Sequence, residues 1–103
     1  MRIGEVLIMD LEASGLGAGS WPIEVGLSWV EAGEVRSWSS LIRPEPDWDE
    51  GAWSLVSQDV HGIGREELDT APSAWSVAEE LLARVAGRPV FSDAPEFDMR
   101  WAR

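Results

Sequence analysis

The sequence predicts one α/β domain: a three-strand meander, helices, and then a strand that returns to the same sheet. Three observations predict it. A continuous apolar run at residues 6–9 is closed by Asp10, two strand-like stretches at 23–30 and 35–42 flank a turn, and an amphipathic helical pattern at 72–86 is followed by a short apolar stretch at 90–92. The chain has 103 residues, so residues 1–103 are read as a single domain.

The run Val6, Leu7, Ile8 and Met9 has no polar residue, the pattern of a central strand buried on both faces and ending at Asp10. Residues 11–22 hold Gly15, Gly17, Gly19, Ser14 and Ser20, a loop composition that lets backbone approach a ligand closely. The turn at Glu31, Ala32, Gly33 and Glu34 makes the next two strands an antiparallel hairpin, ended by Pro44 and Pro46. Asp47 or Asp49 is placed to cap a short helix carrying Trp53, Val56 and Val60, with Gly62 at its C-terminus. In the helix at 72–86, Trp75, Ala78, Leu81, Leu82 and Val85 form one apolar face, with Gly87 and Pro89 as stop signals. Asp93 and Glu96 have capping-box spacing, and Phe97 and Trp101 recur four apart, so a last helix begins near Ala94. The architecture therefore reads as incomplete at its C-terminus. Because strand–helix–strand crossovers are right-handed, the strand at 90–92 can lie parallel to the first strand, with their carboxyl ends on one edge.

Composition narrows the function classes. Nineteen acidic residues against eight basic ones, all arginine, give a formal charge of -11, which disfavours binding nucleic acid through a broad basic surface. A phosphate ligand would need a bound cation, which reverses the local potential. Without cysteine there is no thiolate chemistry and no disulfide. The four-residue apolar run is too short for a signal peptide or a membrane span, so a cytoplasmic protein with no membrane partner is expected.

Asp10 and Glu12 are the residues most able to carry chemistry. Two apart on a strand, they face one side, and their mutual repulsion is relieved when a cation lies between them. All-oxygen ligands favour Mg²⁺ or Mn²⁺. Asp98, just beyond the second parallel strand, is placed at the same sheet edge, where open α/β sheets bind ligands. The competing reading of each is a solvated carboxylate, or for Asp98 a residue complementing a helix dipole.

These residues resemble a known family. Asp10-Leu-Glu12-Ala-Ser-Gly15-Leu16-Gly17, then Pro22-Ile23-Glu24-Val25-Gly26, Val60-His61-Gly62-Ile63 and Phe97-Asp98, are similar to the motifs of the DnaQ-like, or DEDD, 3′-to-5′ exonucleases. The resemblance implies a ribonuclease H-like fold and hydrolysis of phosphodiester bonds at the 3′ end of single-stranded DNA or RNA. It implies two Mg²⁺ or Mn²⁺ ions held by Asp10, Glu12 and Asp98, with Ala13, Ser14, Gly15 and Leu16 holding the terminal nucleotide. Asp93 and Ala94 stand where the family has His-Asn, and the family's later histidine and fourth aspartate have no counterpart before Arg103. These 103 residues alone are therefore expected to be inactive. His61 precedes the second motif and is read as a helix-terminus residue, not as the general base.

Two other functions compete. One is a non-catalytic interaction module on the same scaffold. The other, an Asp10-based phosphoryl-transfer nucleophile of the dehalogenase type, is disfavoured because a hairpin rather than a helix follows. Of the seven tryptophans, Trp29, Trp53, Trp75 and Trp101 fall in apolar periodicities and are expected in the core, whereas Trp21 and Trp48 lie in loops and could stack on bases. Glu24 faces either the carboxylate pair or solvent. An uncovered apolar sheet face predicts self-association, as a homodimer or by strand exchange.

Overall fold

The computed structural model describes residues 6–92. Asp98 lies outside them, as do Asp93, Ala94, Glu96, Phe97 and Trp101, so the proposed last helix and third carboxylate have no described position. The described residues form a four-stranded mixed sheet in the order β3-β2-β1-β4, with β1 at Leu7–Ala13, β2 at Pro22–Glu31, β3 at Glu34–Leu41 and β4 at Val90–Ser92. Strands β1 to β3 pair antiparallel and β4 runs parallel to β1, which gives the expected α/β class. Ala32 and Gly33 both adopt positive φ, 51° and 79°, the conformation of a two-residue hairpin turn that matches strand twist.

Two helices follow β3. α1 spans Leu55–His61 and α2 spans Ala74–Val85, and 3-10 turns at Glu50–Ala52 and Arg65–Thr70 precede each of them. The single helix expected around Trp53 is thus split in two. Asp49 caps the first 3-10 turn through Gly51, and Ser54 caps α1 through the Ser57 amide, so Trp53 sits between them. Gly62 ends α1 in the left-handed conformation, at φ 74°, as the sequence suggested. No helix among the described residues is long and apolar enough to cross a membrane.

α2 packs on one face of the sheet. Leu7, Met9, Val25, Leu27, Ile42 and Val77 form the buried core, with Ala74, Leu81 and Val85 against it. The helix therefore turns Ala74, Val77, Leu81 and Val85 inward and leaves Trp75 72% exposed, contrary to expectation. Its sequence satisfies helical spacing on two adjacent stripes, and the branched, smaller one fits the sheet. A second cluster of Trp21, Ile23 and Leu68 lies beside Trp48, Trp53 and Ile63. Trp21, expected as an exposed stacking residue, is buried, because its loop folds back on the end of β1.

β1 also departs from expectation. It continues through Asp10 to Ala13, and only its Leu7 and Met9 face is buried. Ile8 is 45% exposed, and Val30, Val35 and Phe91 are exposed as well. The all-apolar run carried no polar residue to mark which side faces outward, so alternation was invisible in the sequence.

Candidate active site

The parallel pairing of β1 with β4 brings their carboxyl ends to one edge, with Ile8 opposite Phe91 and Met9 opposite Ser92. Just beyond those pairs on β1 stand Asp10 and Glu12, on the side that alternation turns away from α2. Asp10 is exposed and Glu12 half-buried. Asp10 lies opposite Gly26, where no side chain crowds it, and Glu12 lies opposite Glu24. Glu24 therefore belongs to the carboxylate face. The register shifts between Glu12 and Ala13, a bulge that turns the chain out of the sheet directly after the acidic pair.

That turn leads into a fixed loop. The Ser14 amide donates to the Trp21 carbonyl at 2.9 Å, and the Trp21 amide donates to Ser14 Oγ at 3.0 Å, closing residues 15–20 into a tip. Ser20 Oγ donates to the Gly17 carbonyl within the tip. The Ser54 amide, at the start of α1, donates to the Ser14 carbonyl at 2.8 Å. At Gly15 an added Cβ would meet the Ala52 carbonyl at 3.1 Å and Ser54 Cβ at 3.3 Å, so a side chain there would require the segment before α1 to shift by a few tenths of an ångström. Ala13, Ser14 and Gly15 are buried, and Leu16 projects outward at 81% exposure.

Between this loop and α1 lies an open cavity of about 210 Å³, walled by Glu12, Leu16, Val56, Ser57, Val60 and His61 among others. Val56 and Val60 are largely exposed there rather than buried in a core. His61 is the last residue of α1, as expected. Its Nδ1 accepts the Ile63 amide at 2.9 Å, and its ring meets Trp53 edge-on with centroids 5.7 Å apart. Its Nε2 is buried without a partner among the described residues. The walls formed by Val56, Val60 and His61 escaped sequence reasoning as a site. Valines four apart on a helix signal a core, and only the shortness of the segment between Ser54 and Gly62 hinted that the stripe is exposed.

Behind the cavity the loop rests on aromatic packing. Trp21 lies 5.8 Å from both Trp48 and Trp53 between ring centroids, and its indole nitrogen donates to the Asp49 carbonyl at 2.8 Å. Arg65 lies over Trp21 and pairs with Glu50 and Asp69. Hydrogen bonding from Arg65 holds the Glu50 carboxyl below the usual range, and the same contact raises the guanidinium pKa further.

The carboxylate pair suits a hard divalent cation, since its donors are all oxygen. No group of three His, Asp or Glu side chains able to hold a metal converges among the described residues.

No family model matches the sequence, and no curated protein is similar to it. Solved structures are similar. One, described as 3′-end specific recognition of histone mRNA stem-loop by 3′-exonuclease, superposes with a TM-score of 0.60 at 18% identity, covering 77% of this chain and 37% of that one. A full-length 3′-exonuclease superposes with a TM-score of 0.61 at 18% identity, covering 77% of this chain and 28% of that one. The chain spans well under half the length of either. At this identity the likeness establishes the fold: the mixed sheet with its helices matches part of the fold of both 3′-exonucleases.

Proposed function

We propose that this chain carries metal-binding carboxylates of a metal-dependent 3′-to-5′ exonuclease acting at the 3′ end of single-stranded nucleic acid. The reading rests on one observation: Asp10 and Glu12 share a face of β1 at the carboxyl edge of two parallel strands, beside an open apolar cavity, in a sheet like that of 3′-exonucleases. Asp10 and Glu12 would hold Mg²⁺ or Mn²⁺, with Asp98 as the third ligand that the DnaQ-like resemblance implies. Such ions, when bound, activate water and stabilise charge on a phosphodiester undergoing in-line displacement.

The chain's own residues would do the rest. Leu16, Val56 and Val60 offer an apolar recess for the terminal base. Glu24 adds negative charge opposite Glu12, which disfavours binding of a bare phosphate and makes nucleotide affinity depend on the cation. The neighbour's histone mRNA stem-loop supports a nucleic-acid 3′ end as the partner class.

The test is binding of a short single-stranded oligonucleotide, DNA and RNA in separate arms, by the 103-residue chain with and without Mg²⁺. Binding that requires both the cation and Asp10 supports the reading. Failure of millimolar Mg²⁺ and Mn²⁺ either to stabilise the fold or to promote binding would leave the non-catalytic module as the function of this scaffold.

A further inference from the structure

We infer that Ser14 is a positioning residue that joins the two walls of the proposed nucleotide cavity, rather than a contact to the nucleotide itself. The inference rests on the functional reading above for what the cavity binds, but not for how its walls are joined. Ser14 is fully buried, at 0% exposure, so its hydroxyl cannot reach a ligand in the cavity. All three of its polar groups are engaged, to two different ends. The amide and Oγ both pair with Trp21, which closes the glycine-containing loop, and the carbonyl takes the Ser54 amide, which fixes the start of α1.

One wall of the cavity is the loop through Leu16, and the other is α1 through Val56, Val60 and His61. Ser14 belongs to the first and is bonded to the N-cap residue of the second. The close approach of Gly15 to Ala52 and Ser54 seals the same junction from the next residue along. Trp21 is anchored in turn by its indole bond to Asp49, so the Ser14 hydroxyl connects the wall to the aromatic cluster as well. Removing that hydroxyl leaves the Trp21 amide buried without its acceptor, and a buried unpaired donor is costly enough to open the segment locally.

Ser20 supplies the control, being a buried serine of the same loop whose hydroxyl bonds only within the tip, to the Gly17 carbonyl. The experiment uses the 103-residue chain with Ser14→Ala, Ser14→Cys, Ser14→Thr and Ser20→Ala. It reads amide exchange at Trp21 and Ser54, methyl resonances of Leu16, Val56 and Val60, and binding of adenosine 5′-monophosphate with Mg²⁺. Exchange at Trp21 and Ser54 should accelerate about tenfold in Ser14→Ala, with methyl shifts on both walls. Ser14→Cys keeps the volume with a weak acceptor and should behave similarly, whereas Ser14→Thr keeps the hydroxyl and should restore protection. Ser20→Ala should leave both walls unmoved.

If the wild type binds nucleotide, Ser14→Ala should weaken it about tenfold, again with rescue by threonine. Wild-type protein that binds no nucleotide, yet shows coupled loosening of both walls, overturns the exonuclease reading and upholds this inference. Equal effects of Ser14→Ala and Ser20→Ala, or loosening of the loop without α1, overturn the inference. Should Ser14→Ala fail to fold, the comparison of Ser14→Cys with Ser14→Thr decides it by the same readouts.

Discussion

The two faces of the sheet use the same strands for opposite purposes. On one, Leu7, Met9, Val25 and Leu27 are buried beneath α2 with Val77 at the centre. On the other, Ile8, Asp10 and Glu12 alternate outward, with Glu24 opposite Glu12 and Phe91 opposite Ile8. Every second residue of β1 thus contributes to packing and the residues between them to solvent-facing chemistry. A strand can hold two carboxylates side by side because its other face supplies the free energy that keeps it in the sheet. The division should be visible in mutational costs.

The largest effect is expected on the packed face. Leu27→Ala removes a side chain that is 2% exposed and should destabilise the chain by about 2–5 kcal/mol, as measured by urea denaturation. Ile8→Ser on the opposite face, at 45% exposure, should cost no more than about 1 kcal/mol. Comparable losses at the two positions would mean that both faces are covered in solution, as self-association through Ile8, Val30 and Phe91 would do. Sedimentation of the wild type and of Ile8→Ser would then show the difference directly.

The packed face was the more legible of the two in the sequence. The meander, its two-residue turn, α2 and the parallel return of β4 all follow from period and from glycine placement, because backbone rules act locally. What could not be read was direction. Trp75 and Val77 both fit a helical stripe, and only the sheet's shape selects Val77 for the interior. Trp21 was misplaced for a related reason: its burial depends on a bond pair with Ser14 across the loop, a contact between residues seven apart that no periodicity encodes. Of the candidate site, the shared face of Asp10 and Glu12 was legible from their spacing on a strand. The cavity beside them was not, since Val56 and Val60 look like core until α1 is seen to be too short to bury them.

The chemical face offers the next test. If Asp10 and Glu12 bind a cation only in the folded state, Mg²⁺ at a hundredfold its dissociation constant should stabilise the chain by ~2.7 kcal/mol, read as a rise in Tm. Asp10→Asn should abolish that rise while leaving metal-free stability unchanged or slightly higher, because it relieves carboxylate repulsion. A metal-induced rise that survives Asp10→Asn would move the cation elsewhere and break the assignment of chemistry to this face.

A smaller effect is expected where the two regions meet. Ser54 Oγ accepts the Ser57 amide at 3.1 Å, and Ser54→Ala should cost about 1 kcal/mol. The substitution leaves Ser14 Oγ on the Trp21 amide, the bond that closes the loop, so the loop should keep its protection even as α1 frays. Exchange rates that rise at Ser57 but not at Trp21 would separate capping of α1 from closure of the loop. A joint rise would show that the cavity's two walls depend on helix formation itself.

The smallest effect concerns the exposed ion pair that flanks the aromatic support. Arg65 hydrogen-bonds Glu50 and lowers its pKa from an ordinary value near 4.5, so the folded form holds the carboxylate more firmly than the unfolded chain does. That contribution is fully present above the unfolded pKa and fades as pH falls through the lower folded value. Glu50 is 63% exposed, so solvent screening confines the contribution to about 0.2–1 kcal/mol. Wild type should therefore exceed Glu50→Gln slightly in Tm near neutral pH, with the gap closing as pH falls below the ordinary carboxylate range. A gap that persists at the acid end would assign the effect of Glu50 to packing around Trp21 and Arg65 rather than to charge. The aromatic cluster would then support the cavity without help from its ion pair.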